Sequence, residues 1–363
     1  MKDKGGRASG EEIGNCNPAP AEKEQLGAAL DLPRRRGSFL FLLHPSSFIL
    51  HPSRMPQQVS VRVPATSANL GCAFDCAALA LSLYLHLHVR PRADREMTVR
   101  YRGVTPERVA TDSTNLVVRT ISDTLRGWHK TRGFDLEIEN QIPVGVGLGS
   151  SAAAIVGALA ACHWMADMAL SDEELVSLAA RLEGHPDNVA AAWHGGFTVA
   201  VEDRGEVVAY SCPVPDSLQL VLIIPDYAVP TEKAREVLPA QYSRQDAVYN
   251  LQRATLLAAE FFSGRAEFHR TFFEDRWHQP YRAPLVPGLN EVLSLKHADL
   301  LGVCLSGAGP SVLAFVRGNA QAIGELVRHA LAEKGVQSQA YCLAPDNLGA
   351  KNWSLPASGE TSS

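Results

Sequence analysis

The sequence predicts a protein of mixed strands and helices, large enough for two domains. Three observations carry that expectation. Short segments in which apolar and polar residues alternate, the period of a half-buried strand, are interspersed with longer alanine- and leucine-rich segments of helical character. Hydrophobic residues at 46% and charged residues at 20% are the proportions of a soluble globular protein. A chain of 363 residues can bury two cores of ordinary size, and its composition changes near Cys212, just before a buried segment flanked by Pro215 and Pro225.

The elements follow in order. Residues 58–64 alternate valine with polar side chains and read as a strand; residues 79–89, rich in Leu, His and Tyr, read as a second, two-faced one. Between them, residues 64–75 read as a loop of small polar residues with one amide, Asn69, and one carboxylate, Asp75. His86 and His88 share a strand face but lack a third ligand, so an ordinary face is expected rather than a metal site. Residues 114–125 are expected to be helical and 134–139 a strand.

Then comes Pro143-Val144-Gly145-Val146-Gly147-Leu148-Gly149-Ser150-Ser151-Ala152-Ala153-Ala154, the most informative stretch of the chain. Glycines allow positive φ and let amides come close to an anion, and the helix expected over 151–168 offers unpaired N–H groups and the positive end of its dipole. Two hydroxyls stand where they could reach a phosphate oxygen or a magnesium ion. The segment has neither the Gly-Lys-Ser/Thr ending of a P-loop nor the spacing of a dinucleotide fingerprint. A nucleoside triphosphate held without the P-loop lysine is the sharper reading, and a glycine-rich helix start of structural use the plainer one. The first predicts that Gly149→Val destroys turnover while the protein stays folded.

A second helix starts at Ser171, where Glu174 completes a capping box. Near its end Glu183-Gly184-His185-Pro186-Asp187-Asn188-Val189 gathers acidic, imidazole and amide groups into an expected loop, before a turn at Gly195-Gly196. Its two carboxylates could serve as a magnesium ligand and as a proton acceptor or substrate contact, or the segment is simply an exposed, capped turn. Residues 218–225 read as a buried strand. Thr231 opens a helix that puts Arg235 one turn along, where a hydroxyl and a guanidinium could jointly hold a carboxylate. Trp277-His278-Gln279-Pro280-Tyr281-Arg282 is a further polar cluster, and residues 302–312 bring a second glycine turn ahead of a strand over 312–316.

Other classes are disfavoured. A net charge of −5 leaves no footprint for nucleic acid, and no segment reads as a membrane span. The seven scattered cysteines, never in a C-x-x-C pair, read as reduced thiols of a cytoplasmic protein, with Cys72 and Cys76 as ordinary small residues. Residues 1–54 show no helical or strand period and are expected to be a disordered, dispensable leader or a stretch read from upstream of a true start at Met55.

Three motifs in this order, 64–75, 143–154 and 306–311, resemble the GHMP small-molecule kinases, named for galactokinase, homoserine kinase, mevalonate kinase and phosphomevalonate kinase. The wording Val63-Pro64-Ala65-Thr66-Ser67-Ala68-Asn69-Leu70-Gly71, the Glu183 to Ala190 loop and Thr231-x-x-x-Arg235 are similar to the homoserine kinase branch. The resemblance implies a two-domain α+β architecture: an N-terminal domain like domain 2 of ribosomal protein S5 over 55–212, a ferredoxin-like C-terminal domain over 213–351, and a tail over 352–363. It implies ATP phosphates wrapped by residues 143–153, with Mg2+ on Ser150 or Ser151 and on Glu183. Homoserine would lie among Asn69, Asp75, Asp187, Thr231, Arg235, Arg282 and Gly307, the arginines on its carboxylate and the acids near its ammonium and hydroxyl. Asp187 would orient or deprotonate the hydroxyl. A homodimer is also implied. Relatives usually carry Pro-Gly where this chain has Cys72-Ala73, so Ala73 would be strained if the backbone there needed positive φ. Rival readings are another enzyme of the superfamily, acting on mevalonate or a sugar, and a catalytically silent regulator that binds ATP or an amino acid.

Overall fold

The computed structural model describes residues 58–352 except 167, 169 and 266, so the expectations for residues 1–54 and for most of the tail lie outside the described residues. The chain opens with a long antiparallel hairpin, β1 (Val59–Asn69) and β2 (Ala73–Pro91). The edge strand β3 (Met97–Gly103) follows, then helix α1 (Leu116–Gly127) and β4 (Phe134–Asn140), which pairs in parallel with β3. Asn115 caps α1 by accepting from the amides of Val117 and Val118. Three helices come next: α2 (Ser150–Ala166), α3 (Asp172–Glu183) and α4 (Asp187–His194). The strands β5 (Phe197–Asp203) and β6 (Glu206–Cys212) complete a sheet of order β3-β4-β2-β5-β6, with β1 also paired to β2.

The alanine-rich α2 is largely apolar because most of it is buried, against β1, α1, α3 and α4, with Ser151 and Trp164 exposed near its two ends. A Cβ on its Gly157 would stand 2.7 Å from Leu87 Cδ1, so small residues set how closely the helix lies on the hairpin. The capping box at Ser171 and Glu174 forms as expected, and Gly184 ends α3 with φ of 92°.

The second sheet begins with β7 (Gln219–Pro225), after which come α5 (Thr231–Glu236), α6 (Arg244–Ser263), the single-turn α7 (Gln279–Arg282) and α8 (Leu289–Ser294). It closes with β8 (Leu300–Leu305), β9 (Val312–Val316), α9 (Ala320–Ala332) and β10 (Ser338–Leu343), in the antiparallel order β10-β7-β9-β8. This is the split βαβ arrangement of ferredoxin-like folds. One face of it packs Val221, Ile223, Val303 and Leu305 against Leu289, Ile323 and Val327. The opposite side carries an aromatic cluster in which the Phe273 and Phe315 rings lie 4.4 Å apart, with Phe261 and Phe268 around them.

Two expectations need correcting. The stretch 64–75 is not an open loop: β1 runs on to Asn69 and β2 starts at Ala73, leaving only residues 70–72 as the turn. Its small residues are there for packing, since Ala68 and Ala78 pair across the hairpin and meet Ala191 of α4. The segment 187–189 is likewise the first turn of α4 rather than loop, because Pro186 at the N-cap already has helical φ and ψ and Asp187 favours the positive end of the helix.

Candidate active site

The end of β1 and two glycine turns meet and are stitched together through main chain. Thr66 N donates to Leu148 O (3.1 Å), Gly307 N to Ala68 O (3.1 Å), and Ser311 N to Val146 O (3.3 Å). Ser306 Oγ lies 2.8 Å from both Gly147 O and Ser67 Oγ. The three motifs, far apart in sequence, thus build one floor, and a cleft of about 240 Å³ opens above it.

In the glycine stretch, Gly145, Gly147 and Gly149 all have positive φ, at 78°, 82° and 64°, while the intervening Val146 and Leu148 are buried as anchors. The glycines and Val144, Ser150 and Ser151 line the cleft; Pro143, Val146, Leu148, Ala152 and Ala153 do not and support it from beneath. A Cβ at Gly147 would fall 2.2 Å from Ser306 O, and one at Gly149 would fall 2.0 Å from Thr66 Oγ1. The expectation that Gly149→Val leaves the fold intact is therefore corrected, because the absent side chain makes room for the hairpin as well as for any ligand.

Ser151, in the first turn of α2, donates to Glu183 Oε2 at 2.7 Å. Glu183 ends α3, and burial raises its pKa above the ordinary glutamate value, although the Ser151 hydroxyl and His185 oppose the shift. His185 Nδ1 lies 2.6 Å from Asp187 Oδ1, which also accepts from the Asn188 amide at 2.7 Å. Burial alone would push the His185 pKa down; the hydrogen bond and charge of Asp187, with Glu183 behind it, outweigh that and hold it above the usual value. Thr66 Oγ1 donates to Asn188 Oδ1 at 2.7 Å, fixing that amide beside the acids.

The opposite wall carries two arginines. Arg235 of α5 grips Asp75 through two hydrogen bonds of 2.9 Å each. That fork raises the guanidinium's pKa above its ordinary value. Arg282 is 2% exposed and donates to Ala234 O (3.0 Å) and Gly307 O (2.9 Å), with His278 Nδ1 3.2 Å away. Burial, reinforced by the charge of Arg235, lowers its pKa to about 10, still well above neutrality. The Phe74 ring serves both, 5.7 Å from the Arg235 and 5.4 Å from the Arg282 guanidinium carbon. Asp75 is aimed by an unusual turn: Asn69, Leu70, Gly71 and Asp75 all have left-handed φ, and Asn69 closes it by accepting from Asp75 N and donating to Gly307 O. Asn69 therefore spends hydrogen bonds on positioning Asp75. Ala73 is not among the positive-φ residues, so the strain feared there does not arise, and Cys72 is a buried thiol bonded to Phe272 O.

The cleft brings together Asn69, Asp75, Asp187, Thr231, Arg235, Arg282 and Gly307 with Glu183, Ser150 and Ser151. Sequence reasoning passed over His185 and Asn188, though both stand inside a quoted motif, and His278, whose Nε2 lies 2.7 Å from Gly71 O. Thr66 and Ser306 are single hydroxyls whose importance shows only in three dimensions.

A glycine-lined cradle at a helix start, an acidic group beside its serine, and a charged recognition wall define a small-molecule phosphotransferase without a P-loop. The chain matches the GHMP kinases N terminal domain over residues 115–196 and the GHMP kinases C terminal domain over residues 256–336. It belongs to the homoserine kinase family of the GHMP kinases. It is 42% identical over 289 residues to the homoserine kinase of Solibacter usitatus, covering 79% of this chain and 94% of that protein. Homoserine kinase of Desulfitobacterium hafniense is 41% identical over 80% of this chain and 99% of its own length. The crystal structure of homoserine kinase from Cytophaga hutchinsonii superimposes with a TM-score of 0.73 at 27% identity, over 83% of this chain and 98% of that one.

Proposed function

We propose that this protein transfers the γ-phosphoryl group of ATP to the hydroxyl of L-homoserine, giving O-phospho-L-homoserine and ADP, a step of threonine biosynthesis. The observation that carries this reading is the Arg235–Asp75 pair on the wall of the cleft that the glycine cradle also lines. An α-amino acid brings one carboxylate and one ammonium, and so can replace each partner's lost contact when the pair separates. Mevalonate has no ammonium for Asp75, and a sugar has neither charge. The arginine fork suits the carboxylate, with Thr231 one turn before it and the buried Arg282 adding positive potential.

Residues 144–151 would receive the phosphates through backbone amides and the α2 dipole. The Ser151 and Glu183 oxygens, 2.7 Å apart, fit Mg2+, which is commonly held by one or two carboxylates together with substrate phosphates; bound there, it would supply charge neutralisation on the transferring group. Ser150 is the neighbouring hydroxyl. Asp187, held by His185 and Asn188, accepts a hydrogen bond from the homoserine hydroxyl and aims it at phosphorus. A loose transition state asks mainly for such alignment and electrostatic support, so no strong base is needed.

A division into a first domain over 55–212 and a second over 213–351 is supported by the two sheets, which draw on residues 59–212 and 219–343. Among the described residues no helix is long and apolar enough to cross a membrane, and we place the reaction in the cytoplasm. A homodimer is the assembly implied by the resemblance. The test is ADP release by the purified protein with homoserine, mevalonate, shikimate and galactose in turn. Turnover should be confined to homoserine, and faster turnover of another acceptor would overturn the assignment.

A further inference from the structure

We propose that a second cavity, behind α7, binds a phosphorylated small molecule and that its occupancy is transmitted to the homoserine cleft. The link to substrate binding rests on the function proposed above; the binding itself does not. The cavity is about 850 Å³, larger than the cleft, and shares no lining residue with it. Its walls combine apolar surface from Phe273, Leu293 and Leu300 with the cations Arg270, Arg276 and Lys296. Arg276 is engaged by Asp246 at 3.0 Å. Arg270 makes one long hydrogen bond, to Leu293 O at 3.5 Å, and lies near the charge of Glu274, which is itself bonded to Tyr249 and Arg253. Lys296 has no hydrogen-bond or ion-pair partner among the described residues. The other carboxylate in the wall, Asp275, is fully committed to the amides of Trp277, His278 and Gln279 and to Asn250. Positive charge therefore exceeds the negative charge available to meet it, beside an apolar wall. A phosphate dianion carried on a small organic body matches that lining.

The path to the active site is short. Gln279, in the cavity wall, opens α7; its Oε1 accepts from Leu305 N at 2.8 Å, two residues before Gly307. The same helix ends in Arg282, which donates to Gly307 O within the cleft. His278, one residue before α7, bonds Gly71 O in the turn that aims Asp75. A ligand that braces the 273–282 segment from behind thus holds Arg282 and the Asp75 turn in the arrangement described, which favours homoserine binding.

The test uses the full chain with inorganic phosphate and glycerol 3-phosphate as probes, and acetate at matched ionic strength as the control. Saturating AMP-PNP and Mg2+ in the calorimetry, and saturating ATP and Mg2+ in the kinetics, keep phosphate out of the nucleotide cradle. Calorimetry should detect glycerol 3-phosphate binding that Arg270→Ala/Lys296→Ala weakens at least tenfold, while that variant keeps its turnover in the absence of the probe. Glycerol 3-phosphate should lower KM for homoserine at least threefold in the wild type and leave it unchanged in the variant. Inorganic phosphate alone reproducing the effect assigns recognition to the phosphate; glycerol 3-phosphate alone doing so assigns it to the ester with its organic body. Binding of neither probe, equal binding by the variant, or binding without a change in KM overturns the proposal. A loss of homoserine turnover in every sample would instead strike the kinase assignment and leave the calorimetric result standing.

Discussion

Arg235 and His185 show how single side chains divide the labour of the cleft. Replacing Arg235 by leucine removes one partner of a recognition pair and leaves Asp75 without its fork. Homoserine binding should weaken by roughly 2 to 4 kcal/mol, read as a rise in KM, while ATP affinity is nearly unchanged. Equal loss of both would count against the placement of the amino acid on this wall. His185 owes its raised pKa to Asp187, so Asp187→Asn should drop the His185 titration, followed by NMR, below its wild-type midpoint. Because the folded state binds this proton more tightly than the unfolded chain, the contribution to stability is complete below about pH 6.5. It fades as the pH rises through the raised folded value. In Asp187→Asn that pH dependence should shrink; an unmoved His185 titration would show that another group sets its charge.

At the scale of elements, the glycine stretch and α2 do two jobs that one substitution cannot separate. Gly149→Val should lower the melting temperature as well as turnover, since its Cβ collides with Thr66 Oγ1. Ser151→Ala is the cleaner probe: the side chain is exposed and its one hydrogen bond goes to Glu183. The variant leaves the largely buried Glu183 carboxylate without that donor, a loss of about 1 to 2 kcal/mol and so of a few degrees in melting temperature, and should need more Mg2+ for half-maximal rate. An unaltered magnesium requirement would remove Ser151 from the metal's surroundings. Most of these elements were legible: the valine alternation of β1, the capping box of α3 and the apolar stretch of β7 each declare themselves by local chemistry. The small residues of 64–69 did not, because alanine and serine in a loop look the same as alanine and serine beneath a closely packed helix. Asp187 was legible as an acid and illegible as the first residue of α4, since a lone Pro186 leaves loop and helix start equally open. The Arg235–Asp75 pair joins residues 160 positions apart, a distance no spacing rule spans.

For the whole molecule, the expectation for residues 1–54 is open to a direct test. The homoserine kinases of Solibacter usitatus and Desulfitobacterium hafniense are matched over 94% and 99% of their length by 79% and 80% of this chain. A chain shortened to begin at Met55 should fold and turn over homoserine at the full rate; loss of soluble expression or of activity would give residues 1–54 a role. The stitches at Ser306 carry a different consequence. Ser306 and Gly307 follow a strand of the second sheet, yet Ser306 bonds to Gly147 in the turn between β4 and α2, the proposed phosphate cradle. The proposed nucleotide floor is thus joint property, and inheritance at one end of the gene constrains the other. A chain severed between 212 and 219 should still reassemble into one active particle from two separately made fragments, whereas neither fragment alone should hold ATP.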